Sequence, residues 1–171
     1  IRAFGIKFEL FKLPKAETLS GKEALVAHLK RLILPPLKIV VTGTGKVGNG
    51  AKEILDAMKI KEVSVENYLT KNYTQPVYTQ IDVLEYNQRI DDQVLDFNDF
   101  YNNPQEYKSN FERFTKVSDI YITGHFHANA APAILTREML QSKDCKIKVV
   151  ADISCDVDGP IACTLRSSTI A

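Results

Sequence analysis

The strongest chemical signal in this 171-residue chain is a run of three glycines, Gly43-Thr44-Gly45-Lys46-Val47-Gly48. The run follows a short β-branched segment and precedes a helical apolar pattern, which is the context in which this spacing binds a dinucleotide. Gly43 would allow a tight turn, Gly45 would let the backbone approach a pyrophosphate, and Gly48 would let helix and strand pack closely. The following helix N-terminus would present N–H groups to the phosphates. We predict that all six residues bind a cofactor, the alternative being a tight turn without a ligand.

The choice of cofactor depends on an acid expected after the second strand. Lys46 directly follows Gly45 and no Ser or Thr comes next, so the spacing excludes an ATPase or GTPase phosphate loop. Glu66 lies 23 residues after Gly43, near the ~20 at which an acid binds the ribose of NAD. Glu66 would then favour NAD over NADP, although a solvated surface acid is the alternative and Lys71 is near enough to meet a 2′-phosphate. The sequence therefore predicts NAD or NADP, with NAD preferred.

Short apolar strands alternate with helical patterns along the chain. This alternation predicts an α/β fold, a Rossmann-like, doubly wound and mostly parallel sheet. The predicted strands are Lys38–Thr42, Glu62–Val65, a third starting in Pro76–Thr79, Asp119–Thr123 and Lys148–Ile153. The predicted helices run from a Ser20/Glu23 capping box to Pro35-Pro36, from Val47 to Met58, near Pro104–Phe114 and over Ala133–Leu140.

The composition divides the chain into three parts. Residues 1–36 are basic and partly helical, and we expect them to be a helical connector from a substrate domain outside this sequence, which starts at Ile1 and not at Met. Residues 37–171 form the predicted dinucleotide-binding domain. Within it, about 82–116 is an acidic, aromatic insertion. Local packing explains such aromatic residues most simply, and a substrate-covering or subunit-contact element is the alternative.

Charge and cysteine content exclude several classes of protein. Lys and Arg number 22 against 21 Asp and Glu, which argues against a general nucleic-acid binder. The three cysteines, Cys145, Cys155 and Cys163, lack zinc-finger spacing and are odd in number, which favours a reducing, cytoplasmic compartment. The longest apolar runs are too short to cross a bilayer, and no signal peptide is visible. We expect neither nucleic acid nor membrane as a partner.

Three stretches in order resemble one known family. Val41–Ile54 is similar to the cofactor loop of lysine-ketoglutarate reductase and the lysine-forming saccharopine dehydrogenases. Ile120–Gly124 and Leu135–Arg137 resemble the fourth strand and the next helix of those enzymes, and Ala151–Ile161 resembles their Asp-Ile-Ser-x-Asp signature. The acidic aromatic insertion also looks like theirs. The resemblance covers about residues 38–170.

The resemblance implies a fold of two α/β domains with cofactor and substrate between them, of which this chain is mainly the cofactor domain. It implies an oxidoreductase that transfers a hydride to or from a C–N bond of an amino-acid or oxo-acid substrate, in an assembly that can be a homo-oligomer. An alanine dehydrogenase-type oxidative deaminase and a non-catalytic nucleotide-sensing domain are the alternatives. The catalytic lysine and histidine of the family belong to the other domain, and no stretch here matches them.

Besides Glu66, three residues outside the glycine loop complete the predicted site. Asp156 matches a family aspartate near the nicotinamide ribose and substrate, and we predict a catalytic role for it, with a loop cap as the alternative. Gly124 and His125 follow the fourth strand and would line the cofactor cleft. His125 and His127 have a spacing that could bind a metal, but no third ligand is evident, so no metal is predicted.

Overall fold

The computed structural model describes residues 1–125 and 131–168. Within these residues the strands are β1 Lys38–Thr42, β2 Lys61–Glu62, β3 Val77–Ile81, β4 Asn87–Arg89, β5 Tyr107–Ser109, β6 Ile120–Thr123 and β7 Val149–Asp152. The α-helices are α1 Arg2–Lys7, α2 Lys22–Leu29, α3 Lys46–Ala57, α4 Val65–Thr70, α5 Val83–Tyr86, α6 Phe97–Asn102, α7 Glu112–Thr115 and α8 Arg137–Gln141. None of the helices described is long and apolar enough to cross a membrane.

The central strand β1 is buried on both faces, as a β-branched apolar run predicts for a parallel strand. Ile39 and Val41 point to one face, where they join a core cluster with Leu55 of α3. Val40 points to the opposite face and packs in a second cluster with Tyr121 of β6. The sheet is therefore covered on both sides, and the prediction of a doubly wound, Rossmann-like α/β fold is confirmed.

The five strands β2-β3-β1-β6-β7 form one parallel sheet, in that order. The register places Thr42 beside Ile81 on one side and beside Thr123 on the other, and Thr123 beside Asp152. The carboxyl ends of four strands are thus level, and the loops that follow them meet at one edge. In such sheets a ligand binds in the crevice beyond this edge, on either side of the first strand.

Strand β2 is shorter than the predicted Glu62–Val65 and lies at the edge of the sheet. It ends at Glu62, because Ser64 caps α4 by accepting a hydrogen bond from the N–H of Asn67 at 3.4 Å. The strand beside β1 is β3, which confirms the strand predicted to start in Pro76–Thr79. This order changes which acid lies near the glycine loop.

The predicted helix from Ser20 to Pro35 is wrong at both ends. Gly21 is the N-cap residue of α2, without a side-chain cap, and the helix ends at Leu29. Ile33, which the predicted helix would include, is 93% exposed. Residues 1–36 nevertheless contact the body of the fold, since Phe4 packs in the cluster that contains Ile39 and Leu55. Their assignment as a connector from another domain stays a prediction.

The insertion folds against the domain, but not as the predicted helix near Pro104–Phe114. Residues 104–106 form a 3₁₀ turn, Tyr107–Ser109 pairs antiparallel with Asn87–Arg89, and only Glu112–Thr115 is α-helical there. Phe111 and Phe114 are fully buried, and the Phe111 ring centroid lies 4.5 Å from that of Tyr121. Local packing is thus confirmed for these aromatic residues, because they cover one face of the sheet.

The last helix is also shorter than predicted. The side chain of Thr136 accepts a hydrogen bond from the N–H of Met139 at 3.3 Å, so α8 begins at Arg137. The preceding apolar residues are not helical, since Leu135 forms a parallel bridge with Ile161. Ala133–Leu135 had the composition of a helix start, but pairing with a distant segment determines its conformation.

Candidate functional site

The carboxyl edge of the sheet holds a cavity of about 380 Å³ between the glycine loop and the insertion. Of the nine residues predicted to bind a cofactor, seven line it: Gly43, Thr44, Gly45, Lys46, Val47, Gly124 and His125. Gly48 is buried beneath the loop. The structure thus brings the loop after β1 and the loop after β6 to one cavity.

The glycine loop is held in place by the two elements beside it. The N–H of Gly43 donates to the carbonyl of Ile81 at 2.8 Å, which extends the pairing of β1 and β3 into the loop. Gln80 of β3 donates from Nε2 to the Gly43 carbonyl at 2.8 Å, and Asn49 of α3 donates from Nδ2 to the Thr44 carbonyl at 3.0 Å. The loop conformation is therefore set by the protein itself.

The three glycines meet three different demands. Gly43 has φ +94°, and a β-carbon there would lie 2.8 Å from Cα of His125. A β-carbon on Gly48 would lie 2.7 Å from the carbonyl carbon of Gly43. Gly45, by contrast, has no atom within 4 Å of the position that a β-carbon would take.

The geometry at Gly45 fits the phosphates of a dinucleotide. The fold does not need a glycine there, but a ligand that must touch the backbone does. Gly45 is the N-cap of α3, a helix of 12 residues, and Lys46 is its exposed first residue. Helix dipole and lysine charge both favour an anion at this end of the cavity.

A buried chain of polar groups orients His125. Nδ1 of His125 lies 2.7 Å from Oγ1 of Thr42, which lies 3.1 Å from Oη of Tyr121. Burial raises the pKa of Tyr121, so its hydroxyl stays neutral. His125 is only 7% exposed and borders the cavity on the β6 side. Its ring is thus fixed through one nitrogen at the edge of the site.

The sequence spacing of His125 and His127 could bind a metal, but no third ligand is evident from it. His127 lies outside the described residues. In the part of the chain that the structure describes, no three His, Cys, Asp or Glu side chains are grouped to hold a metal ion.

Glu66 does not lie where the sequence placed it. It is exposed in the first turn of α4, which follows the edge strand β2, and β3 separates that strand from β1. The acid that follows the strand beside β1 is Asp82, and it lines the cavity with the glycine loop. The ribose-binding role of Glu66 therefore stays a prediction, and the fold brings a second candidate, Asp82, to the glycine loop.

Asp82 already has one structural task and retains capacity for another. Its Oδ1 accepts a hydrogen bond from the N–H of Leu84 at 2.9 Å and so caps α5. A carboxylate can accept about four hydrogen bonds, so a ribose hydroxyl could be bound as well. Sequence reasoning missed Asp82 because β2 and α4 intervene and place it 39 residues after Gly43. The signal in the sequence that could have indicated Asp82 is that it directly follows the strand-like run Val77–Ile81.

The opposite wall of the cavity is apolar and comes from the insertion. The residues that sequence reasoning did not assign to the site are Val83, Tyr86, Phe97, Phe100 and Tyr101. Tyr86 joins this wall to the β6 side, because its ring centroid lies 6.0 Å from that of His125. The aromatic density of the sequence was the signal, but composition could not tell core residues from cavity residues.

The two acids of the Asp-Ile-Ser-x-Asp stretch differ sharply. Asp152 accepts hydrogen bonds from the hydroxyls of Thr123 at 2.6 Å, Ser154 at 2.7 Å and Thr164 at 2.5 Å. Partial burial acts to raise the pKa of Asp152, but the hydrogen bonds from Ser154, Thr123 and Thr164 together keep it below its ordinary value. Asp152 therefore ties β6, β7 and the C-terminal segment together as a carboxylate.

Asp156 lies in the exposed turn beyond β7, where its carbonyl accepts a hydrogen bond from the N–H of Gly159 at 3.0 Å. This turn lies at the same edge of the sheet as the glycine loop, because it follows β7, which is two strands away from β1. The described residues that line the cavity do not include Asp156. Its catalytic role stays a prediction.

Comparison with known proteins gives one weak but extended likeness. No known protein-family profile matches the chain. The chain is 26% identical over 178 positions to alpha-aminoadipic semialdehyde synthase of Arabidopsis thaliana. The alignment covers 91% of this chain but 16% of that protein. The likeness supports the family resemblance of the three sequence stretches, and it concerns a small part of the relative.

Proposed function

We propose that this chain is the dinucleotide-binding domain of an oxidoreductase that transfers a hydride to or from a C–N bond. The proposed reaction is of the saccharopine dehydrogenase and lysine-ketoglutarate reductase type, with an amino acid or an oxo acid as substrate. The observation that carries the proposal is the open space at Gly45, at the N-terminus of α3 and beside a cavity. The likeness to the Arabidopsis protein supports the substrate class.

Each side of the cavity would bind one part of the cofactor. The N–H groups of α3 and the Lys46 ammonium would hold the phosphates. Asp82 would accept a hydrogen bond from the ribose 2′-hydroxyl, and its charge would repel a 2′-phosphate, which favours NAD over NADP. Gly124 and His125 would border the nicotinamide half, because they follow β6 on the other side of β1.

The bound cofactor would supply the hydride chemistry, and the protein would supply position and charge. His125, fixed through Thr42, would exclude water from one side of the cavity. Asp156 would orient or stabilise charge that develops beside the ring, as the family resemblance implies. The amino-acid substrate would be bound largely by a second domain, which the resemblance also implies.

Calorimetric titration of the chain with NAD⁺, NADH, NADP⁺ and NADPH tests this proposal. Gly45→Val should abolish binding, because the branched side chain would fill the space that the pyrophosphate needs. Gly50→Val is the matched control, since Gly50 is also exposed on α3 with no atom within 4 Å of its would-be β-carbon. We expect the control to bind normally. Equal affinity in wild type and Gly45→Val would overturn the site, and no binding by the wild type would overturn the function.

A further inference from the structure

We propose that the insertion provides the adenine subsite, with Phe97 and Tyr101 of α6 holding the adenine ring of the dinucleotide. This inference rests on the proposed function and assigns a ligand group to the aromatic wall of the cavity. The ring would contact these side chains through its face, which needs no charged partner.

Phe97 and Tyr101 are exposed in a segment whose other aromatic residues are mostly buried. Their side chains are 52% and 58% exposed, whereas Phe111 and Phe114 are completely buried. Four residues apart on α6, they lie on one helix face, with ring centroids 5.5 Å apart. Both line the cavity that contains Gly45. Because the two ring planes are 39° apart, a flat ring can stack on the face of one of them and contact the edge of the other.

The topology places this wall on the adenosine side of the loop. In such folds an acid at the end of the strand beside the first strand binds the ribose that is attached to adenine. Here that acid is Asp82, and the insertion leaves the sheet at this residue. The nicotinamide half belongs to the opposite side, beyond β6, where Gly124 lies. An adenine attached to a ribose at Asp82 would therefore meet the insertion.

Helix α6, which carries Phe97 and Tyr101, is held in place by a network of hydrogen bonds and ion pairs. Asp96 caps its first turn by accepting from the N–H of Asp99 at 2.9 Å. Tyr107 donates from Oη to the Asp99 carboxylate at 2.6 Å, and Arg89 forms ion pairs with both Asp99 and Asp91. These contacts hold α6 to the β4–β5 hairpin.

Phe100, which also lines the cavity, packs against that hairpin. Its ring meets Tyr107 edge-on, with centroids 5.0 Å apart and planes at 84°. The contact with Tyr107 therefore fixes the rotation of α6 and, with it, the positions of Phe97 and Tyr101. A pre-positioned ring loses little side-chain entropy when a base stacks on it.

Ligand fragments provide the test, because they separate the two halves of the cofactor. We would measure the affinity of wild type, Phe97→Ala, Tyr101→Ala and the double variant for AMP, ADP-ribose and nicotinamide mononucleotide by calorimetry. The double variant should lose roughly 10-fold or more in affinity for AMP and ADP-ribose, as expected for lost base stacking. Its affinity for the mononucleotide should not change. Val94→Ala, at a position 90% exposed in the same segment, is the control.

A fluorescence experiment reports the contact directly. The chain has no tryptophan, so Phe97→Trp introduces a single one. AMP should quench its emission, while Val94→Trp should not respond. Unchanged AMP affinity in the double variant, or an equal loss for nicotinamide mononucleotide, would overturn the adenine assignment. If wild type still bound NAD(H) or NADP(H) in that case, the proposed function would stand.

Discussion

A β-carbon added to Gly48 would lie 2.7 Å from the carbonyl carbon of Gly43 and still closer to its oxygen. The first turn of α3 therefore touches the end of β1 backbone to backbone. Gly124 completes this contact, since a β-carbon there would lie 2.7 Å from the Gly48 nitrogen. Two of the three loop glycines thus serve the fold, whereas a β-carbon on Gly45 would meet open space.

This contact predicts a separation of stability from binding among the glycines. Gly48→Ala should lower the free energy of unfolding by about 2 kcal/mol or more, because neither backbone segment can yield without displacing the sheet. Gly45→Ala should leave it nearly unchanged. Gly50→Ala should raise it by about 0.5–1 kcal/mol, because alanine favours the helix over glycine and meets open space. Urea unfolding followed by circular dichroism measures all three, and a Gly48→Ala protein as stable as Gly45→Ala would contradict the assignment.

Cofactor choice is predicted to depend on Asp82. Asp82→Ser should lower the affinity for NAD(H) and raise that for NADP(H), shifting the ratio roughly 10-fold, because it removes the carboxylate that we propose to bind the 2′-hydroxyl and to repel a 2′-phosphate. Serine also caps helices well, so α5 should keep its N-cap. Competitive titration of the two cofactors measures the ratio.

Glu66→Ser is the control for cofactor choice. Glu66 is an exposed acid on α4, and its removal should leave the ratio unchanged. If Glu66→Ser shifted the ratio of NAD(H) to NADP(H) affinity and Asp82→Ser did not, Glu66 would be the ribose-binding acid and the proposal for Asp82 would be rejected.

The contrast between these two acids shows what the sequence could predict. The loop and its flanking strand and helix follow from local pattern, so Lys38–Thr42 and the start of α3 match the structure closely. Strand order does not follow from local pattern, because it depends on which distant segments pair. The sequence spacing therefore indicated Glu66, whereas pairing of β3 with β1 brings Asp82 to the loop.

The same limit applies to the insertion. Its acidic and aromatic composition predicted a folded segment, but the hairpin of β4 and β5 forms through pairing across about 20 residues. This pairing decides that Phe111 enters the core and that Phe97 faces the cavity. Periodicity over Pro104–Phe114 gave no sign of it, because strands of three residues are too short to show alternation.

Acid sensitivity is predicted to depend on Asp152. Its pKa in the folded protein is lower than its ordinary value, so its contribution to stability is present above about pH 4 and is lost as the pH falls through the folded-state value. Asp152→Asn should lower the free energy of unfolding at pH 7 by about 1–3 kcal/mol, since three hydroxyls lose a charged acceptor. The difference from wild type should shrink as the pH drops below 4. Denaturant unfolding across this pH range checks both the size and the direction.

Asp156 allows the opposite prediction, that an acid matters for turnover and not for stability. Its side chain is exposed, so Asp156→Asn should leave the free energy of unfolding within about 0.5 kcal/mol of wild type. In the catalytically competent protein the same change should lower kcat roughly 10- to 100-fold while cofactor affinity changes little, because it would remove the proposed charge partner of the reacting ring without a change in shape. Asp158→Asn is the matched control, since Asp158 is exposed in the same turn and its φ of +57° suits asparagine. Steady-state kinetics with cofactor and substrate varied separately distinguishes kcat from KM. Equal turnover by Asp156→Asn and Asp158→Asn would remove Asp156 from the mechanism. Asp152 would then be the acid that matters in this stretch, and it would matter for stability alone.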